Sequence, residues 1–335
     1  MTGALAAPFS FVGIIRAMPF DFDAAVIAPF RMQPGLRRVA PGALQLTPAQ
    51  PDSRALREKL AVLRQHADQA LLAEPDFNPA PALHALCVHA AHEHPHAFGI
   101  EGDSIWHART LGWSLHGTTP RDAGGAAEIG DGLRALPAHQ RLSALLALAF
   151  EQDFAILDAA SGRVPWLAVC LPSHWAPEDK VGRRFAEIHA PVADNAVLIA
   201  ASEALVRLVT GDERWERFVW TISTDANLQQ HPQRSPRVAW VADAPPDALA
   251  AQAFFRTEHQ TFIPLPALQQ AIFTIHVESR PLVQAVDSAE RARRLHAALA
   301  SMSPAVLAYR GLTDAQPRLL EWLDRSARRS EGSHP

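Results

Sequence analysis

The sequence predicts an α+β fold, a mostly antiparallel sheet with flanking helices in a single domain. Three observations carry that prediction. Helical periods come first, alternating strands follow, and helical periods return at the end. That segregated order marks α+β proteins. The clearest strand pair is joined by a short loop, which only antiparallel neighbours can share. No composition break or linker divides the 335 residues, a length sufficient for one large core.

The elements can be justified in order. Residues 1–18 show no clear period and read as a tail or a lead-in strand. From Pro19 to Gly35, apolar and turn residues mix in an irregular lead-in. The spacing of Leu56, Leu60, Leu63, Ala67, Ala70 and Leu71 predicts a helix over 53–72. A second helix starts at Asn78 or Pro79 and ends near Pro95. Trp106, Leu111, Trp113 and Leu115 predict one or two short strands, followed by a surface loop at Gly124-Gly125. Leu142, Leu145, Leu146, Ala149, Phe150 and Phe154 predict one amphipathic helix over 138–157. Trp166 to Leu171 reads as a buried strand, and Asp194 to Val209 as a helix. Strands are expected over 215–222 and 237–241. The antiparallel pair comes next: in 252–264 Phe255, Thr257, His259, Thr261 and Ile263 alternate with Arg256, Glu258, Gln260 and Phe262, and 271–279 returns. Helices over 288–300 and 314–328 precede a polar tail.

Composition excludes several function classes. Net charge is -4 with scattered Lys and Arg, so no nucleic-acid partner is expected. No apolar run approaches the length of a membrane span, so no membrane partner is expected either. Cys87 and Cys170 make no CxxC pair and sit in apolar runs, which fits buried thiols in a reducing cytoplasm. The N-terminus lacks a basic region ahead of an apolar one, so a signal peptide is not expected. There are sixteen histidines against one tyrosine. His92-Glu93-His94-Pro95-His96 looks like a metal tract, but residues two apart do not share a helix face. It reads as a solvated helix end. Dinucleotide, P-loop, zinc-protease, esterase and haem-attachment signatures are all missing.

One stretch concentrates chemistry. Pro172-Ser173-His174-Trp175-Ala176-Pro177-Glu178-Asp179-Lys180-Val181-Gly182 follows the buried strand, and Ile188-His189-Ala190-Pro191-Val192 follows it in turn. Pro177 with two acids after it is a helix start. Pro191 biases Ala190 toward an extended conformation. His189 is therefore expected where a helix hands over to an extended segment.

Those two runs resemble the signature of the haem-dependent oxidative N-demethylases. Pro29-Phe30-Arg31-Met32, Arg217 with Trp220, Arg256-Thr257-Glu258-His259-Gln260-Thr261, Phe273-Thr274-Ile275 and Tyr309-Arg310-Gly311-Leu312 are similar to further family motifs in the same order. The likeness runs from about Pro19 to Leu312, leaving a C-terminal helix and polar tail over 313–335. It implies a PAS-like sheet holding haem b with its iron, O2 activation, and oxidative demethylation of a small N-methylated amine. Electrons would come from an external flavin and iron-sulfur reductase, since the chain carries neither motif. Homo- or hetero-oligomers are both compatible with it. A non-catalytic haem sensor or carrier on the same fold is the alternative.

Within that resemblance His189 is the expected axial iron ligand and His174 its rival. Lys180, Arg183, Arg184 and Arg217 are expected to meet haem carboxylates. Arg256 and Glu258 share a strand face and are expected as catalytic groups, joined by Asp153 and by Trp220, whose ring could meet an alkylammonium. The chain departs from the family pattern at Gln152, where the family has Glu, at Val219, where it has Asn, and at His259, where it has Arg.

Overall fold

A computed structural model describes residues 22–329. The expectations for residues 1–18 and for the polar tail beyond Arg329 lie outside the described residues. Among the described residues, two antiparallel sheets are built from β1 (Arg37–Arg38), β2 (Leu71–Ala73), β3 (Phe98–Glu101), β4 (Ile105–Ala108), β5 (Trp113–His116), β6 (Thr119–Asp122), β7 (Asp153–Asp158), β8 (Arg163–Ala168), β9 (Trp215–Ser223), β10 (Phe254–Leu265) and β11 (Gln270–Pro281). The main sheet runs β1-β9-β10-β11-β7-β8-β2, and β3 to β6 form a separate meander. The fold is thus a single α+β domain with a mostly antiparallel sheet.

The expected β10–β11 pair is its centre. Twelve residues pair on each side, from Phe254↔Pro281 to Leu265↔Gln270. Alternation settles which side chains share a face. Phe255, Thr257, His259, Thr261 and Ile263 turn one way, and Arg256, Glu258, Gln260 and Phe262 the other.

The first face is covered twice. Helices over Arg54–Gln65, Ala80–Glu93 and Arg141–Ala149 bury Leu56, Leu60, Leu86, Leu145 and Phe154 against Ile263 and Ile272. The C-terminal helices over Ala289–Ala300, Pro304–Arg310 and Gln316–Arg329 bury Leu295, Leu319 and Trp322 with Trp220, Ile222 and Phe255. The second face is roofed by shorter helices over Phe185–His189, Ala196–Ala200 and Ser202–Val209. Val206 and Val209 reach down to Leu157 and Phe262. This roof does not fill the space beneath it, and the site lies there.

The structure corrects several expectations. The helix expected over 138–157 stops at Ala149, and β7 begins at Asp153. Every residue from Ser143 to Ala149 is buried, and a run apolar on all sides gives no period by which to tell a buried helix from a central strand. The expected strand at 237–241 is loop, with Val238 62% and Val241 58% exposed. The helix expected over 194–209 is broken at Ala201. The one or two strands expected near Trp113 are four. His94 is not solvated: it is 1% exposed and its Nε2 meets the Leu46 carbonyl at 2.8 Å. Both cysteines are free and buried, as expected. No described helix is long and apolar enough to cross a membrane.

Candidate functional site

Between the sheet and its roof lies a cavity of about 630 Å³, within the rough 300–1,000 Å³ range of cofactor and ligand sites. Its walls are mostly apolar. Ala155, Leu157, Leu167, Phe262 and Phe273 come from the sheet, while Ile188, Val192, Leu198, Leu205 and Val209 come from the roof.

His189 closes the helix Phe185–His189 and lines this cavity. Its Nδ1 lies 2.8 Å from the Phe185 carbonyl. A carbonyl can only accept, so Nδ1 carries the proton and Nε2 keeps its lone pair. Among the described residues Nε2 has no hydrogen-bond partner. The ring also packs on Phe185, with centroids 4.2 Å apart and the planes tilted by 33°. Burial drops its pKa to about 4, with Arg217 and Lys180 adding to the effect and the Phe185 hydrogen bond opposing it. The imidazole is therefore neutral at pH 7, as a metal ligand must be. One local expectation changes. Ala190 is helical, with φ -55 and ψ -37, rather than extended. The Asn195 side chain donates to the carbonyls of His189 (3.1 Å) and Ala190 (2.8 Å), closing a turn that outweighs the bias from Pro191.

His174 also lines the cavity. Its backbone sits in the left-handed region at φ 58, held by its N–H donating to Gln230 O at 2.9 Å. Burial, with Arg237 and Arg256 nearby, takes its pKa to about 4 as well. Among the described residues no hydrogen-bond partner orients its ring, in contrast to His189. The adjoining turn is fixed from outside: His231 Nδ1 accepts the Gln233 N–H, so its Nε2–H donates to Glu178 at 3.0 Å.

On the opposite wall β10 presents Arg256, Glu258 and Gln260. The Ser173 hydroxyl donates to Glu258 Oε1, and Gln260 Nε2 donates to Oε2 at 2.6 Å. Both carboxylate oxygens are thus held. Arg256 is 1% exposed and braces the wall: Nε donates to Ser173 Oγ at 2.9 Å, and its remaining nitrogens to the carbonyls of Asn227 (2.9 Å) and Leu228 (2.8 Å). Burial lowers its pKa to about 10, which still leaves it charged at neutral pH.

More basic groups face the cavity: Lys180, Arg217, Arg237 and Arg310. Lys180 Nζ donates to the Ile188 carbonyl at 3.2 Å, and burial lowers its pKa against the pull of Asp179. Burial also lowers the pKa of Arg217, with Glu258 opposing. Arg217 Nε is buried without a hydrogen-bond partner. Arg310 donates to the Trp220 carbonyl and lies over the rings of Phe30 (4.6 Å) and Trp220 (5.4 Å).

Not every expected residue belongs here. Asp153 does not line the cavity. It forms a buried ion pair with Lys59 at 3.2 Å and accepts the Leu171 N–H at 2.7 Å. Arg183 is exposed and off the cavity wall, because the Gly182–Arg183 backbone is tied to Val164 on β8. Arg184 is likewise exposed. Trp220 contributes to the wall, but its ring sits on the opposite sheet face, stacked on Phe255 with Arg310 over it. That π face already holds a cation. Sequence reasoning missed Ser173 and Arg310 as site residues, although both stand inside the motifs it singled out. Of the three departures only Val219 faces the cavity. Gln152 clamps Thr47 (3.0 and 3.1 Å), and His259 bonds Glu216 (2.8 Å) on the far face.

Compared with families of known proteins, residues 53–320 match the haem-dependent oxidative N-demethylase, alpha subunit-like family. The matched span contains both cavity histidines, the β10 carboxylate and all five basic groups of the wall. By that match over most of its length, the chain belongs to the haem-dependent oxidative N-demethylase, alpha subunit-like family.

Proposed function

We propose that the cavity holds haem b and that the protein oxidatively demethylates a small N-methylated amine. The observation that carries this reading is His189. Its Nδ1–H is locked by a carbonyl and its Nε2 is uncommitted on the wall of a largely apolar cavity. An orienting partner on the far ring nitrogen is the usual companion of an imidazole–metal bond. Among the described residues His174 lacks one, so His189 is the residue that would hold the iron and His174 is a further cavity group.

The donor set suits the macrocycle in two further respects. Apolar walls exclude water from a porphyrin plane, and basic side chains answer its carboxylates. Lys180 suits that second role, while Arg183 does not. The sheet-and-roof arrangement is compatible with a PAS-like fold.

A bound haem would supply O2 activation. In the overall change, one N-methyl group, one dioxygen, two electrons and two protons become the demethylated amine, formaldehyde and water. The electrons come from an external flavin and iron-sulfur reductase, a partner consistent with a family named for an alpha subunit. The chain's own residues bind and orient. Glu258, fixed by Ser173 and Gln260, is placed to hold a substrate ammonium and to take or return its proton. Arg256 positions Ser173 and so acts through it.

The test is an absorbance scan of haem-loaded protein with and without dithionite. A Soret band that moves on reduction is expected, and His189→Ala should shift or abolish it. A colourless protein after haem addition sinks the reading. A band indifferent to His189→Ala reassigns the ligand to His174. Reductant-driven formaldehyde release from a panel of methylamines then separates an enzyme from a haem carrier.

A further inference from the structure

The cavity wall holds more positive charge than a porphyrin needs. Arg256 is committed to carbonyls and to Ser173. Arg237 and Asp314 stand exposed at the rim. Lys180, Arg217 and Arg310 remain inside, and among the described residues none of them forms an ion pair with a carboxylate. Among the described residues Glu258 is the one interior carboxylate of the wall; Ser173 and Gln260 each donate to one of its oxygens, and each oxygen can still accept another hydrogen bond. Lys180 inside and Arg237 at the rim would answer the two carboxylates of a haem. Arg217 and Arg310 would be left desolvated without a carboxylate partner, an unfavourable arrangement unless an anion arrives.

Arg217 makes the imbalance concrete. It projects from β9 beside Gln260 on β10, so it stands two residues along the wall from Glu258. Its Nε–H is buried with no acceptor. Arg310 also lines the cavity, close enough to Glu258 and Arg217 for their charges to act on it. A carboxylate and guanidinium groups therefore flank the same patch of wall, and Val219 between them offers no competing polar group.

We infer that the substrate is an N-methylated amine bearing its own acidic group, an N-methyl amino acid in chemical class, with its ammonium on Glu258 and its carboxylate on Arg217 and Arg310. A simple dialkylamine satisfies only the first contact. Resting on the haem reading above, this inference adds the substrate's charge pattern, which a family name does not specify.

The test is calorimetric titration of the haem-loaded protein with three probes: N-methylglycine, its methyl ester, and dimethylammonium chloride. All three carry an N-methylated ammonium, and only the first carries a negative charge. N-methylglycine should bind at least tenfold more tightly than the other two, with the advantage shrinking as salt rises. Arg217→Gln should remove most of that advantage, so that N-methylglycine and its methyl ester bind alike to within about twofold. Arg310→Gln provides a second variant should Arg217→Gln fail to fold. If the ester or dimethylammonium binds as tightly as N-methylglycine, or if none of the three binds, the inference fails. A preparation without a Soret band fails the haem reading instead, so the two failures are told apart before any titration.

Discussion

Neutral imidazoles dominate the chemistry at the scale of single residues. His174, His189 and His276 all have pKa values held down at about 4 by burial. In the unfolded chain each would titrate near the usual 6.5. The sign follows from proton counting. Between those values the unfolded state binds more protons than the folded one, so stability falls as pH falls. Through these rings haem-free protein should therefore lose stability steadily from about pH 6.5 toward pH 4. Melting curves across that range check this. A flat profile there would mean the rings are solvated.

Glu258 is the second residue to test. With Gln at this position the side chain loses its charge but keeps its size. Glu258→Gln should cut methylamine turnover by about two to four orders of magnitude, in line with loss of a positioned acid–base group, with the Soret band unchanged. A matching loss of haem would instead make Glu258 a structural group. Ser173→Ala should give a milder version, since Gln260 still holds the other oxygen.

Among elements, the join between the helix Arg141–Ala149 and β7 is held by one buried lysine. Lys59 is fully buried and gives its three protons to the carbonyls of Ala147 (3.0 Å), Phe150 (3.1 Å) and Gln152 (2.6 Å). Asp153 at 3.2 Å balances its charge without a hydrogen bond to Oδ1. This lysine thus caps a helix end and anchors the strand that follows. Lys59→Met leaves Asp153 buried and alone, and should cost about 3–5 kcal/mol, read by urea unfolding. Lys59→Met with Asp153→Leu should recover much of that loss, because removing both charges removes the uncompensated one. Asp153 thereby has a structural reason to be acidic, and its place in a helix-end motif gave no way to see that.

For the whole molecule, ligand binding and folding are coupled. The cavity leaves one sheet face roofed by three short helices, with little apolar contact beneath them. A haem seated there binds only the folded chain. At a free concentration a thousandfold above its dissociation constant it should add about 4 kcal/mol of stability. Differential scanning calorimetry with and without haem checks this, and no upward shift in melting temperature would argue against occupancy of the cavity. The helix Gln316–Arg329 belongs to the same body, since Leu319, Trp322 and Leu323 are buried with Trp220 and Phe255.

The amino-acid order by itself determined the β10–β11 pairing and the company kept on each face. A strand's side chains alternate by local backbone geometry, so Arg256, Glu258 and Gln260 had to stand together whatever lay around them. Residue order also marked the Ser173–His189 stretch, because functional groups there crowd turns rather than apolar faces. Long-range packing decided the rest. It chose which sheet face received helices and which a cavity, and so turned Trp220 and His259 away from the site. It paired Asp153 with a lysine distant in sequence, and it split one apolar run into a helix and a strand. Burial and pairing depend on partners that no local period encodes, so only the folded chain could assign them.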